Sequence, residues 1–188
     1  MKKRSFRIYF NAPITLGFSL ICILVLVLDH FTAGKSTTAL FSTYGSSFLS
    51  PLTYLRLIGH VFGHISVDHL INNLLFILLL GPMLEEKYHE KLIYVILVTA
   101  LVTGIAHNIL SPNTMLLGAS GVVFAFILLA SITGSSDGIP VTLILVAVLW
   151  IGGEIYDGIS AVDNVSQITH IIGGISGAAM GMTFKRKR

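Results

Sequence analysis

The chain has 188 residues, of which 54% are hydrophobic and 11% charged, with a mean hydropathy of +0.85. Soluble domains carry about 25% charged residues, so this composition excludes an ordinary soluble globule and points to an integral membrane protein. The net charge is +3 and the pI near 9.1, but the basic residues are placed as a topology signal and not as a nucleic-acid patch. The single cysteine, Cys22, rules out a disulfide framework or a cysteine-based metal site.

A basic N-terminus (Lys2, Lys3, Arg4, Arg7) leads into the apolar run Ile14 to Leu28. No convincing small-residue cleavage site follows it, so it is expected to be a retained first span at about 14–31 rather than a signal peptide. Residues 29–64 form a long connection rich in Phe, Tyr and Leu, expected to lie against the bilayer interface. Five more spans are expected at about 65–84, 92–110, 117–133, 139–157 and 166–184, punctuated by Gly81-Pro82, Ser111-Pro112-Asn113, 134–138 and Asp157-Gly158. The fold class is thus all-α, a single six-helix membrane domain over 1–188. Six spans put both ends on one side, and ten of the twelve basic residues then share that side, which makes it the cytoplasmic one.

In this topology spans two, four and six all run inward. Their first turns, Asp68-His69-Leu70-Ile71-Asn72-Asn73, Gly118-Ala119-Ser120-Gly121 and Gln167-Ile168-Thr169-His170, share the outer leaflet. Polar groups at that depth default to function. His170 continues a bare stripe through Gly173, Gly174, Gly177 and Gly181, which lets a neighbouring helix approach to backbone contact. Span four offers a matching small face at Gly121 and Ala125. That packing would bring His170 to Ser120, and a serine needs such a base to become a nucleophile at neutral pH. Span four is also short, 17 residues from Leu117 to Thr133, or about 25 Å. Ser120 then sits below the outer surface at a helix N-terminus suited to an oxyanion.

His69 and Asn73, four apart on one face, are either further oxyanion donors or a polar pair gluing helices; Asn72 faces away and reads as structural. A serine between small residues can also simply satisfy itself on a backbone carbonyl. His60 and His64 are read as interface packing, because two histidines four apart without a third ligand make a weak metal site. His30, His89 and His107 are read as snorkelling or capping groups near helix ends, and Glu85, Glu86 and Lys87 as a helix-end charge cluster. Glu154, near the outer end of span five beside Gly152 and Gly153, is either solvated or in touch with the cavity.

His69-x-x-x-Asn73, Gly118-Ala119-Ser120-Gly121 and His170-x-x-Gly173-x-x-x-Gly177, in that order and on those spans, resemble the rhomboid intramembrane serine proteases. Val122 after Gly121 breaks the soluble nucleophile-elbow pattern, which removes the α/β-hydrolase alternative. The resemblance implies catalysis by a Ser120–His170 dyad without a third acid. It also implies an oxyanion site of the Ser120 N–H, His69 and Asn73, and supporting roles for Gly118, Gly121, Phe124, Gly173 and Gly177. Cofactors and metals are not required. The implied partners are transmembrane segments of other proteins within the lipid bilayer, with no nucleic acid, in a membrane expected to be a prokaryotic plasma membrane. Three positions depart from the family's usual pattern: Arg56 lacks a preceding tryptophan, Phe124 replaces a tyrosine, and Thr169 precedes His170. A catalytically inactive client-binding relative and a small transporter using Glu154 are the competing readings.

Overall fold

The computed structural model describes residues 9–133, 138–160 and 165–185, and among them every regular element is a helix. The long helices are α1 (Pro13–Thr32), α4 (Val67–Tyr88), α5 (Lys91–Leu110), α6 (Ser120–Ile132), α7 (Val141–Ser160) and α8 (Val165–Lys185). Two short helices, α2 (Lys35–Leu40) and α3 (Pro51–Gly59), and a single 3₁₀ turn at His60–Phe62 occupy the connection between α1 and α4. By length and composition α1, α4 and α5 are each able to cross a bilayer, while α6 and the Val141–Trp150 stretch of α7 are apolar but shorter. The basic residues at 2–7 and 186–188, on which the expected orientation rests, lie outside the described residues.

Apolar side chains fill the core and also cover the outside, while several polar ones are buried. Leu24, Leu75, Leu79, Tyr94 and Leu149 point outward, while His60, Asn73, Glu85, Thr99, Thr103 and His107 are buried. Lipid cannot satisfy a polar group, so such groups turn inward and find partners there.

Helix α6 is the centre of the bundle. Gly121, Val122, Val123, Ala125, Phe126, Leu128, Leu129 and Ile132 are all buried. Its tightest neighbour is α8, whose glycines do the spacing: a side chain at Gly173 would strike the backbone of Gly121, and one at Gly177 the backbone of Ala125. One turn further on, a methyl at Gly181 would lie 2.9 Å from Leu129 Cδ1. On the other side, Gly121 leaves room for Thr103 of α5, at 3.3 Å from where its methyl would be. The small-residue stripe read from the sequence therefore serves as a contact surface.

Three expectations change. First, span two, expected to end near residue 84, continues one turn further: α4 runs through Pro82 to Tyr88. A proline inside a membrane helix is tolerated where its surroundings fix the flanking turns, and here Leu84, Glu85 and Tyr88 beyond it are all buried. Second, Glu85 is not part of a solvated charge cluster. Its carboxylate accepts the backbone N–H groups of Ile14 at 2.8 Å and Thr15 at 2.9 Å, and the Thr15 hydroxyl at 2.8 Å. Helix α1 has no side-chain cap of its own, so Glu85 satisfies N–H groups that a helix start leaves unbonded. Third, α6 has 13 residues and begins at Ser120 itself, so it is about 20 Å long and shorter than the 117–133 span expected.

Both contacts carry measurable stability. Gly177→Val should lower the unfolding free energy by about 1–3 kcal/mol through overpacking. Glu85→Ala should lower it by about 1–3 kcal/mol by orphaning the start of α1. Leu149→Ala on an outward face serves as the control, and denaturant unfolding in detergent micelles measures all three.

Candidate active site

Ser120 occupies the first position of α6, where helix geometry leaves the leading N–H groups without intrahelical acceptors. Its hydroxyl lies 2.8 Å from His170 Nε2 on α8, fifty residues away in sequence. The glycine contacts at 173 and 177 lie one and two turns along α8 from His170 and hold that helix close enough for this bond. Oriented with Nε2 as acceptor, the imidazole takes the serine O–H and can receive its proton.

The pair lines a cavity of about 430 Å³, together with His69, Asn73, Phe76, Leu116, Leu117 and Phe124. Asn73 is 6% exposed, and its Nδ2 is a buried donor with no acceptor among the described residues. His69 Nδ1 is likewise buried without a partner. Gly118 brings the chain against them. Its φ of +121° lies where side-chain-bearing residues are strained, and a methyl there would come within 2.8 Å of the His69 ring and 3.8 Å of Asn73 Nδ2. The segment before Ser120 is pinned from below by the Gly118 N–H, which donates to the His60 carbonyl at 2.9 Å. It is pinned from the side by a two-bond bridge between Thr43 and Leu116, at 2.9 and 2.8 Å. The cavity thus brings together a hydroxyl bonded to an imidazole and two residues, His69 and Asn73, that each carry a buried unbonded nitrogen.

Phe124, one turn along α6, packs its ring on His170 with centroids 4.7 Å apart. The same ring stacks on Trp150 of α7, also at 4.7 Å. Trp150 fills the space over Gly174, where any side chain would collide with it. The chain's only tryptophan was not singled out by its sequence context, because nothing in its own helix marks that contact.

The structure also repositions several histidines and an asparagine. Asn72, expected to face away, is among the residues that line the cavity. His107, expected to snorkel, is buried with Nε2 3.0 Å from the Thr114 carbonyl. His64 is more than interface packing: its ring meets His69 edge-on with centroids 5.0 Å apart, and its Nε2 is buried without a partner. The run of histidines at 60, 64 and 69 carried that hint in its spacing. Glu154 falls within α7, but its side chain lies outside the described residues. Among the described residues no group of three or more His, Cys, Asp or Glu is arranged to hold a metal.

Residues 51–187 match the family profile of the Rhomboid domain. The chain is 28% identical over 182 residues to a protein named Rhomboid protease GlpG from Serratia proteamaculans (strain 568), covering 94% of this chain and 64% of that one. It is 27% identical over 175 residues to proteins of the same name from Yersinia pestis (strain Pestoides F) and Yersinia pseudotuberculosis serotype O:3 (strain YPIII), covering 89% of this chain and 61% of each. The chain thus spans about three fifths of the length of the curated relatives it matches.

His60 and His64, between α3 and α4, give the fold a pH signature. Burial pushes both down from 6.5 to about 4, with the charge of His107 adding to the effect on His60 and that of His69 adding to the effect on His64. Between those values the unfolded chain binds more protons than the folded one, so stability rises with pH across the window. The expected outcome is full stability above pH 6.5 and a progressive fall in melting temperature down to pH 4. A His64→Gln variant should show a shallower fall.

Proposed function

We propose, from the premise that this chain belongs to the rhomboid family, that it is an intramembrane serine endopeptidase acting on transmembrane segments of other membrane proteins. The observation that carries this reading is the 2.8 Å contact between Ser120 Oγ and His170 Nε2 at the mouth of a cavity. Its setting is α1 and α4–α8 as six spans of a single membrane domain over 1–188. Both termini are cytoplasmic, and the cavity opens toward the outer side of a prokaryotic plasma membrane.

In this mechanism His170 takes the Ser120 proton as the hydroxyl attacks the scissile carbonyl, and a covalent acyl-enzyme forms. The developing oxyanion is held by the Ser120 N–H, by Asn73 Nδ2 and by the His69 ring. These donors are more effective in a site that excludes bulk water than in solution. The proton returns from His170 to the leaving amine. Water entering the cavity is then deprotonated by the same imidazole and releases the acyl group. Phe124, held between His170 and Trp150, keeps the imidazole from rotating away from Ser120. A dyad of this kind needs neither metal nor nucleotide.

A fluorophosphonate probe and a transmembrane reporter substrate test the reading on purified protein in detergent. Labelling and cleavage should disappear in Ser120→Ala and His170→Ala, a loss of roughly 10⁴-fold or more. Asn73→Ala should retain labelling but lose about 10²-fold in kcat, with a smaller change in KM. A folded wild-type protein that neither labels nor cleaves would sink the protease reading in favour of client binding without cleavage. Reporter fusions at both termini, together with a fusion in the loop after α5, test the orientation independently.

A further inference from the structure

Two of the twelve basic residues, Lys35 and Arg56, stand apart from the ten grouped at the chain ends and in the α4–α5 turn. They come from different elements, the start of α2 and the last turn of α3, yet both line one surface cavity of about 390 Å³ with Thr38 and Tyr44. The Arg56 guanidinium is held in place rather than free to wander. Its Nε–H donates to the Ala39 carbonyl at 2.8 Å, and its plane lies over the Tyr44 ring at 4.5 Å. Those contacts use one of five donors and one face, which leaves the terminal N–H groups to a ligand. No acidic residue lines the cavity. Asp29, in the adjoining turn of α1, does not line the cavity, and its Oδ1 accepts from the Thr37 N–H at 2.9 Å and the Ser36 hydroxyl at 3.1 Å. Among the described residues the two cations therefore share this cavity with no acidic side chain.

The ground beside them is apolar. Helix α3 buries Thr53 and Leu57 and turns Tyr54, Leu55 and Ile58 outward. An amphipathic helix with a cation at its polar edge is built to lie in the headgroup region, its apolar face among acyl chains. We propose that Lys35 and Arg56 form a phosphate site for a membrane glycerophospholipid, whose acyl chains lie along the Tyr54–Leu55–Ile58 face of α3. The leaflet it occupies rests on the orientation given above; the phosphate contact itself does not.

The site also connects to the cavity at Ser120. Tyr44, under the guanidinium, follows Thr43, which is bonded to Leu116, and Leu116 lines the cavity that holds Ser120. A bound lipid would steady α2, α3 and, through that bridge, the rim over the serine.

Native mass spectrometry of the delipidated protein titrated with phosphatidylglycerol tests the proposal. Wild type should retain the lipid, and Lys35→Gln should hold it about fivefold more weakly, the worth of one cation near a phosphate. Lys35→Arg should restore binding, and Lys35→Gln should still label at Ser120 with fluorophosphonate, which separates this result from failure of the protease reading. Unchanged retention in both Lys35→Gln and Arg56→Gln, in protein that melts normally, would overturn the site. Equal retention of diacylglycerol with the same chains would reduce it to apolar contact and overturn the phosphate assignment. Displacement by glycerol phosphate at the same concentration would make it a site for free phosphate and overturn the lipid assignment.

Discussion

The close approach of α8 to α6 is the contact on which the rest of the structure depends. Glycine at 173 and 177 removes the atoms that would otherwise meet the α6 backbone at Gly121 and Ala125. In a bilayer there is little hydrophobic force to press two helices together, so association rests on packing and short-range contacts. Each added carbon between the two backbones would move His170 away from Ser120, and a bond of 2.8 Å has little tolerance. Trp150 and Phe124 close the same arrangement from the side of α7. Packing and chemistry are therefore one geometrical problem along α8.

The second constraint is that polar groups in an apolar medium need partners. Across most of the bundle they have them. Glu85 completes the start of α1, Thr103 donates to Thr99 within α5, and His60 turns Nδ1 toward Leu57. Others are left unmade. Buried and unbonded among the described residues are Thr37 Oγ1, Thr43 Oγ1, Thr99 Oγ1, Trp150 Nε1, His64 Nε2, His69 Nδ1 and Asn73 Nδ2. Such groups are costly, and two of them, on His69 and Asn73, belong to residues that line the cavity with Ser120. A positive φ at Gly118 belongs to the same region, where strain is set against position.

The connection between α1 and α4 ties these two features together. Its helices α2 and α3 are too short to span, and α3 turns apolar side chains outward. From that connection come the His60 carbonyl that pins Gly118, the bridge from Thr43 to Leu116, and the cations of the proposed lipid site. Loops on membrane proteins fold back in this way where their polar groups can be met by protein or by headgroups.

Much of this was legible in the chain. Apolar runs marked the long helices to within a few residues, the largest difference being the end of α4, at Tyr88 instead of about 84. Small residues at helical spacing marked the face of α8, and the polar starts at His69, Asn73, Ser120 and His170 marked the residues that line the cavity. These are periodic or compositional signals, and a membrane makes them strong because it penalises every polar group in a span. What only the tertiary structure decided lies between elements distant in sequence. Glu85 meets Thr15 seventy residues away, and Trp150 reaches Phe124 from another helix. No local period carries such pairings. They arise because buried polar and aromatic groups must find partners wherever the packed backbone brings one within reach, and that is a property of the assembled helices.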